Sequence, residues 1–358
     1  MADGAPSGAA VAAWAATVLG TEQLEWAPLP ADAGSRIYVR LRAADGRTWL
    51  AMILRDRGTD YLAGPDDSNA EVAFLTIGTF LRERSWPVPQ ILHCDRHRDW
   101  LIVEDLGDVR LQDAIESTAA VECRALYLQA VRLLIELQRH TADARLRGSI
   151  AARRALDVPT LAWELWHCAE WAIEAHRGVH IEADADAQLR AEFLRLAVEI
   201  GTAPMVLAHR DYQSRNIMVV TDGSLRVIDF QDAAMANPAY DLASLLADSY
   251  VELDCELIDD CVEEFHRLSI RTGTVSQDLT AFRRLFDIQA LQRTLKVAGR
   301  FVWLARVAGQ HDRIGMLGPV LARAATLLAR HDDLAPLARM LVAHGFWDAP
   351  PAAFSAVR

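Results

Sequence analysis

Alternation of apolar and polar side chains marks the first third of the chain. IYVRLRA (37–43) alternates, TWLAMIL (48–54) is almost wholly apolar, and ADGR between them supplies a turn. This pattern predicts short antiparallel strands. Apolar residues within 66–84 recur at helical spacing, and PVPQILHCD and DWLIVEDLGD then predict two further strands. We therefore expect a small β-containing N-lobe over residues 1–107.

The pattern changes to helical periodicity after residue 108. Stretches at 120–140, 160–177 and 184–201 place apolar side chains at i, i+3 and i+4, which predicts helices. Only MVLAH, IMVV and LRVIDF interrupt the helical pattern, with a TDGS turn before the last of them. The chain is thus expected to have a two-lobed α+β fold, in which the larger C-lobe (108–358) is mainly helical and carries one β-hairpin.

The predicted hairpin carries the residues with the most specific chemical pattern. His209, Asp211 and Asn216 have the spacing HxDxxxxN, and Asp229 follows Asn216 by thirteen residues. Phosphoryl transfer needs one carboxylate that orients the attacking hydroxyl, and oxygen ligands for the Mg²⁺ that bridges the phosphates. The alternative, that these residues only shape turns, is disfavoured because the whole set occurs on a hairpin after a helical region.

Composition limits the possible partners. The 49 acidic and 37 basic residues give a net charge of −12, which argues against broad binding of nucleic acid or an anionic membrane. A nucleotide ligand remains compatible, because Mg²⁺ can bring phosphates into an acidic site. The five cysteines form no CxxC pair and no apolar run reaches 18 residues. We expect a cytoplasmic protein without a disulfide framework or a zinc site.

HRDYQSRNIM and IDFQD resemble the protein-kinase-like fold and, within it, the aminoglycoside phosphotransferase family. ADAGSRIYVRL, VEDLGD, IDFQDAAMANPAYDLASLL and LQRTLKVAGRF extend the resemblance over most of the chain. Among the members of that family, the chain is most similar to bacterial cell-wall amino-sugar kinases. This resemblance implies an ATP-dependent kinase that phosphorylates the anomeric hydroxyl of N-acetylmuramate or N-acetylglucosamine in peptidoglycan recycling.

The resemblance also implies a role for each residue of the motif. Asp211 would be the catalytic base, and Asn216 and Asp229 would bind Mg²⁺. His209 would hold the catalytic loop rather than react. Asp241, at the start of a predicted helix, would support the same loop through a helix cap or through hydrogen bonds to its backbone.

A nucleotide-binding region is implied in the N-lobe. VEDLGD would form a hinge whose backbone reads the adenine edge, although a strand followed by an ordinary turn gives the same pattern. DAGSR takes the place of the phosphate-covering loop but has only one glycine. The residues expected to contact ATP are Gly34, Ser35, Arg36, Glu104, Asp105 and Leu106.

The third strand departs from the general kinase pattern. Met52 lies roughly where a phosphate-binding lysine is expected, so another cation must offset the phosphate charge. Arg36, Arg40 and Lys296 are candidates. Of the 37 lysine and arginine residues, Lys296 alone is lysine, which suggests a site that needs a compact ammonium group. A solvated lysine on a C-terminal helix is the alternative.

Acceptor contacts are expected from the C-lobe. LAWELWHCAEWAIEAH places Glu164, His167, Glu170 and Trp171 largely on one helical face, which suits a sugar ring through stacking and hydrogen bonds. A core-packed aromatic stripe gives the same spacing. The residues expected to contact the acceptor are Glu164, Trp171, Tyr212, Gln231 and Asp232, with Phe74 as a further pocket candidate.

Two alternatives remain open from the sequence. The acceptor could be another small alcohol, such as an aminoglycoside, choline or homoserine, or the protein could be a nucleotide-binding pseudokinase. Met52 favours the pseudokinase, and the intact Asp211, Asn216 and Asp229 favour the enzyme. The sequence leaves the oligomeric state and the choice between ATP and GTP undecided.

Overall fold

A computed structural model of the protein describes residues 6–30, 36–54, 70–116, 118–348, 351 and 354. The strands are β1 (Leu24–Pro28), β2 (Arg36–Ala43), β3 (Thr48–Leu54), β4 (Ile91–Asp95), β5 (Trp100–Glu104), β6 (Val206–Ala208), β7 (Ile217–Val219), β8 (Leu225–Val227) and β9 (Ala234–Ala236). The helices up to the centre of the chain are α1 (Gly8–Leu19), α2 (Ala70–Arg82), α3 (Leu111–Glu116), α4 (Ala120–Arg139), α5 (Thr141–Leu146), α6 (Ile150–Arg153), α7 (Val158–Cys168) and α8 (Ala183–Gly201). Those that follow are α9 (Tyr240–Leu246), α10 (Cys255–Thr272), α11 (Leu279–Arg306), α12 (Leu317–Ala329) and α13 (Ala335–Ala343).

The chain divides into two compact units, each built from segments that are not contiguous. The sheet unit comprises residues 1–126, 142–154 and 215–233. The helical unit comprises residues 127–141, 155–214 and 234–358. Because the chain passes repeatedly between the units, they do not locate a single lobe boundary, and the division after residue 107 stays a prediction.

The sheet unit is built on a five-stranded antiparallel sheet with the strand order β1-β2-β3-β5-β4. One face of the sheet packs against α1, whose first turn is capped by the Ser7 hydroxyl and which ends at Gly20 with φ 67°. The resulting core joins apolar residues of α1 to alternate residues of the central strands, namely Val11, Ala12, Ala15, Val39, Leu41, Ala51, Ile53 and Ile102. The alternation read from the sequence therefore corresponds to a sheet with one face covered by a helix.

Residues after Asp229 pack closely against α2 in the sheet unit. A Cβ atom at Gly78 would lie 3.0 Å from the Phe230 ring, and the rings of Phe74 and Phe230 are stacked with centroids 4.8 Å apart. Gly78 thus permits a close approach that a larger residue would oppose. This packing fixes the turn that carries Asp229.

The helical unit is organised around α11, a helix of 28 residues that contacts α7, α8, α9 and α12. Its buried face contains polar as well as apolar residues, including Gln289, Gln292 and Arg293. α11 also approaches α7 closely, because a Cβ at Gly299 would lie only 2.7 Å from the His167 carbonyl oxygen. Directly after this contact the chain forms a π-helix over Ala169–Ala175. π-helical turns are rare and occur frequently at functional sites.

The α+β class predicted from the sequence is confirmed. TWLAMIL forms β3 over its full length, and IYVRLRA lies within β2. Two details differ from the prediction: the pairing of β6 with β9 was not predicted, and LRVIDF leaves the strand at Val227, two residues before Asp229. Among the helices of the described residues, none combines the length and apolar character needed to cross a membrane.

Candidate active site

A cavity of about 540 Å³ lies within the sheet unit, on the face of the sheet opposite α1. Alternate residues of β2, namely Arg36, Tyr38 and Arg40, line it together with Leu50 of β3 and Val103 of β5. Other lining residues come from segments around the sheet and include Phe74, Glu104, Leu106, Asn216, Asp229 and Phe230. Its size and its mixture of apolar walls with a few polar groups are typical of sites for small ligands and cofactors.

The expected hinge residues lie along this cavity. Glu104 and Leu106 line it, whereas the Asp105 carboxylate is turned to Arg40, with Oδ2 2.8 Å from the arginine Nε. The backbone N–H of Glu104 donates to the Gln90 carbonyl oxygen at 2.8 Å, so this N–H is already used. Leu106 is therefore the better-placed of the expected backbone contacts. Gly34 and Ser35 lie outside the described residues.

Met52 is fully buried within the sheet, paired with Tyr38 and Leu101. It shares its side of β3 with the cavity-lining Leu50, because side chains alternate along a strand. The two arginines that were expected to offset the phosphate charge differ in their surroundings. Arg40 is bound by Asp105 and Asp108, whereas Arg36 places Nη1 3.2 Å from Asp229 Oδ1 and its guanidinium 5.8 Å from the Phe74 ring centre.

Asp229 has a left-handed backbone, with φ 67° and ψ 37°, directly before the 3₁₀ turn of residues 230–232. This conformation is uncommon for residues other than glycine, although Asp and Asn adopt it more readily than most. The Asp229 side chain is 41% exposed and lines the cavity. Gln231 Nε2 donates to Asp229 Oδ1 at 3.0 Å, and the Gln231 carbonyl oxygen accepts from buried Arg154 at 2.8 Å. The turn thus holds the carboxylate in a defined orientation.

Asn216 and Asp229 together offer side-chain oxygen ligands suited to Mg²⁺. Asn216 Nδ2 lies 3.5 Å from Asp229 Oδ2, and both residues line the cavity. In the described ranges, no cluster of three His, Cys, Asp or Glu side chains is arranged to hold a metal ion. Magnesium in nucleotide sites is usually bound by one or two protein oxygens together with phosphates and water, so this pair fits.

Asp211 lies in the helical unit, on a loop supported by Asp241. The Asp241 carboxylate is 1% exposed and accepts from the backbone N–H groups of His209 at 2.5 Å and Arg210 at 2.9 Å. Arg210 itself has φ 78°, a strained conformation for an arginine. A second buried carboxylate, Asp248, accepts from the backbone N–H of Ser214 at 2.8 Å. Both ends of the loop are thus held by buried aspartates.

Cations surround the Asp211 carboxylate. Burial opposes its ionisation, but the charges of Arg210, Lys296 and Arg293 outweigh that effect and hold the pKa of Asp211 below its ordinary value. Arg293 Nη2 lies 4.0 Å from Asp211 Oδ1, and Arg293 Nη1 donates to the Arg210 carbonyl oxygen at 3.0 Å. The carboxylate is therefore ionised at neutral pH and is able to accept a proton.

Lys296 forms an ion pair with Glu164 in the helical unit. Its Nζ lies 2.6 Å from Glu164 Oε1, and Gln292 Nε2 donates to Glu164 Oε2 at 2.8 Å. Burial would raise the pKa of Glu164, but Lys296, Arg210 and Gln292 hold it below its ordinary value. The role of Lys296 as a phosphate ligand stays a prediction.

The predicted acceptor-binding face on α7 is divided in the structure. Glu164 points into the core, and Glu170 is exposed. Trp163, His167 and Trp171 form a row of rings, with centroids 5.7 Å and 6.0 Å apart. The π-helix begins between His167 and Trp171, so Glu170 and Trp171 belong to it and not to α7.

The remaining residues that were expected to contact the acceptor differ in their burial and in their hydrogen bonds. Tyr212 is fully buried and donates its hydroxyl to the Ala130 carbonyl oxygen at 3.0 Å, which favours a structural role. Gln231 is buried beneath Asp229, and Asp232 accepts from Gln231 Nε2 at 2.9 Å. Their contacts with an acceptor stay predictions.

Several residues of the site carry no motif that sequence reasoning could use. Arg154 and Asp248 are buried charged residues in segments of ordinary composition, and Arg293 lies in LQRTLKVAGRF, where Lys296 alone stands out by residue type. Tyr38 could have been predicted, because it alternates with Arg36 and Arg40 on β2.

Curated relatives match nearly the whole chain. An N-acetylmuramate/N-acetylglucosamine kinase from Neisseria meningitidis serogroup B (strain ATCC BAA-335 / MC58) is 28% identical, with 92% of this chain and 93% of the relative covered. A protein of the same name from Pseudomonas putida (strain KT2440) is 27% identical, with 88% and 89% covered.

Solved structures share the fold at low identity. The chain of the gentamicin–APH(2″)-IIa complex superposes with a TM-score of 0.59 at 13% identity, covering 92% of this chain and 99% of that one. The streptomycin–ATP–APH(2″)-IIa ternary complex gives a TM-score of 0.56 at 13% identity, with 88% and 99% covered. The protein therefore has the kinase-like fold expected from the sequence.

A model of the phosphotransferase enzyme family matches residues 25–275, which is more than half of the chain. The chain belongs to the phosphotransferase enzyme family. The predicted enzyme class, a phosphotransferase, is thereby confirmed.

Proposed function

We propose that the protein transfers the γ-phosphoryl group of ATP to the anomeric hydroxyl of N-acetylmuramate or N-acetylglucosamine, for reuse of peptidoglycan precursors. The observation that carries this proposal is the similarity to kinases named for these two sugars over about nine-tenths of the chain. The presence of all three motif residues, Asp211, Asn216 and Asp229, supports the proposal, as do the lowered pKa of Asp211 and the distance of 3.5 Å between Asn216 Nδ2 and Asp229 Oδ2. A pseudokinase would not need all three.

The cavity of the sheet unit is the proposed nucleotide site. Its apolar walls, including Leu50 and Val103, suit an adenine ring, and the Leu106 backbone would read the edge of the base. Arg36, beside Asp229, would contact phosphate oxygens. The ATP complex of a protein with the same fold supports this assignment of the nucleotide.

Asp211 is the proposed general base. Its carboxylate would orient the acceptor hydroxyl and take its proton as the oxygen attacks the γ-phosphorus. The bond between that phosphorus and the β–γ bridging oxygen breaks, and ADP leaves. Asn216 and Asp229 would hold Mg²⁺, which supplies positive charge that offsets the charge developing on the phosphates. Gln231 and Arg154 keep Asp229 in position for this role.

A panel of acceptors tests the proposal. Purified protein is incubated with Mg-ATP and N-acetylmuramate, N-acetylglucosamine, kanamycin, choline or homoserine, and phosphorus NMR locates the new phosphate. We expect turnover with the N-acetyl sugars only, phosphate on the anomeric oxygen, and no turnover in EDTA.

Asp211→Asn removes the base while preserving side-chain shape, and should lower kcat by about 10²- to 10⁴-fold. Asp222→Asn is the matched control, because Asp222 lies in the exposed turn between β7 and β8. Turnover on another acceptor would reject the sugar assignment and retain the mechanism. Nucleotide binding without transfer to any acceptor would favour the pseudokinase.

A further inference from the structure

The Glu164–Lys296 pair belongs to a buried polar network in the helical unit. Lys296 Nζ lies 2.6 Å from Glu164 Oε1 and 3.5 Å from the Tyr240 hydroxyl. The hydrogen-bond chain continues from Glu164 through Gln292 to Gln289 and ends at Asn237. Buried polar networks are costly unless their members are paired, and this one joins α7 to α11 and the segment before α9.

The two members of the pair differ in their access to solvent. The Lys296 side chain is 18% exposed, whereas the Glu164 side chain is 1% exposed. Both Glu164 oxygens already accept hydrogen bonds, from Lys296 and Gln292. A sugar hydroxyl could reach Glu164 only by displacing these donors, which would cost the desolvation of a buried charge. Lys296 is therefore the member that a ligand can approach.

The surroundings of Lys296 connect it with the acceptor side of the reaction. Arg293, three residues before Lys296 on α11, lies 4.0 Å from Asp211. Tyr240, whose hydroxyl lies 3.5 Å from Lys296 Nζ, directly precedes Asp241, which holds the loop of Asp211. The charge of Lys296 also acts on Asp211 and on His167, the central ring of the aromatic row of Trp163, His167 and Trp171. The cavity proposed for the nucleotide is lined by residues of the sheet unit, and Lys296 is not one of them.

We propose that Lys296 donates a hydrogen bond to an oxygen of the acceptor sugar, and that Glu164 is a positioning residue that holds the ammonium group in place. This inference rests on the function proposed above. It differs from the expectation that Lys296 binds phosphate and that Glu164 contacts the sugar directly. An ammonium fits such a role because it is a compact donor of three N–H groups, which explains a lysine in a chain that otherwise uses arginine.

The test separates the KM for the acceptor from the KM for Mg-ATP. Lys296→Met should raise the acceptor KM about 10- to 100-fold, as expected for loss of a charged hydrogen bond, and change the KM for Mg-ATP less than twofold. Glu164→Gln should raise the acceptor KM by a smaller factor, because the ammonium remains but is held less firmly. The double variant should match Lys296→Met, because Glu164 acts through Lys296.

Two additions keep the result decisive. Lys296→Met leaves a buried carboxylate unpaired, and this single variant can fail to fold for that reason. The double variant removes both charges. If Lys296→Met does not fold, the acceptor KM of the double variant is compared with that of Glu164→Gln. Arg284→Met is the control on the same helix, because Arg284 pairs with Glu199 and Asp333 and its loss tests the general effect of breaking an ion pair on α11. It should leave both KM values unchanged.

Each other outcome has a defined meaning. A raised KM for Mg-ATP with an unchanged acceptor KM would overturn the inference in favour of a phosphate ligand. Additive effects in the double variant would show that Glu164 contacts the sugar itself. A wild type that turns over an acceptor other than the two sugars rejects the proposed substrate, and the same comparison is then made with that acceptor. A wild type inactive on every acceptor overturns both proposals together.

Discussion

Asp241 shows how one side chain can fix the backbone of a loop. Its two oxygens accept from successive backbone N–H groups, those of His209 and Arg210, at a point where Arg210 has a positive φ. A buried carboxylate is costly by itself, and burial raises the pKa of Asp241 even though these hydrogen bonds and His209 oppose the shift. The loop therefore keeps its strained conformation because the carboxylate satisfies both donors.

Replacement of Asp241 by Ala should destabilise the protein by about 2–4 kcal/mol, because two buried N–H groups lose their acceptor. Urea unfolding followed by circular dichroism measures the effect. Asp278→Ala is the control, since Asp278 caps α11 at an exposed position and its loss should cost about 1 kcal/mol. Equal losses in the two variants would contradict the special role of Asp241.

At the scale of residues, the sequence selects candidates where the proposed chemistry follows a local motif. His209, Asp211, Asn216 and Asp229 could be selected by spacing alone. Arg293 and Asp248 could not, because they reach the loop from segments far along the chain and no local pattern marks a charged residue as buried.

α11 combines two roles at the scale of elements. It carries the polar residues Gln292, Arg293 and Lys296, and one turn later Gly299 allows the backbone of α7 to come close. The position of Lys296 opposite Glu164 depends on that approach, because both side chains project from these two helices. The close packing at Gly299 is therefore part of how the pair is positioned.

Gly299→Ala should destabilise the protein by about 1–3 kcal/mol, although alanine is the better helix former. The new Cβ would lie 2.7 Å from the His167 carbonyl oxygen and 2.9 Å from the Cys168 Cα, which are backbone atoms and cannot turn away. Thermal unfolding of Gly299→Ala and Gly318→Ala makes the comparison. Gly318 in α12 has open space at its Cβ position, so that variant should be stabilised by up to about 1 kcal/mol. A stabilised Gly299→Ala would disprove the contact.

Strands and long helices could be predicted where their periodicity is set by burial on one face, as in β2 and α4. β9 could not, because three residues followed by Asn-Pro carry too little periodicity. The π-helix of 169–175 was also missed, because the sequence there fits an α-helix equally well and tertiary packing decides between them.

Carboxylates whose pKa values are shifted in opposite directions make opposite contributions to the pH dependence of the free energy of unfolding. The pKa values of Asp211 and Glu164 lie below their ordinary values, so the folded state binds fewer protons than the unfolded state as the pH falls through about 4. Their contribution to stability is present above that range and is lost on acidification. Burial raises the pKa of Asp241 and of Asp248, and these residues act in the opposite direction.

The free energy of unfolding should therefore fall less between pH 7 and pH 3.5 in the Glu164→Gln/Lys296→Met variant than in the wild type. Urea titrations at pH 7, 5 and 3.5 measure the difference. Glu256→Gln, at an exposed position in α10, is the control and should follow the wild type. Parallel curves for the double variant and the wild type would show that Glu164 has no lowered pKa in the folded protein.

The single lysine has a practical consequence for spectroscopy. Reductive methylation with ¹³C-formaldehyde labels amines and preserves their positive charge, and in this chain it would label only the N-terminal amine and Lys296. Most proteins require many substitutions before a single side-chain amine can be observed. Here the natural composition provides one reporter, in contact with a buried carboxylate in the helical unit. The ¹³C-methyl resonance of Lys296 would therefore report on the binding of the acceptor and of the nucleotide, each added separately.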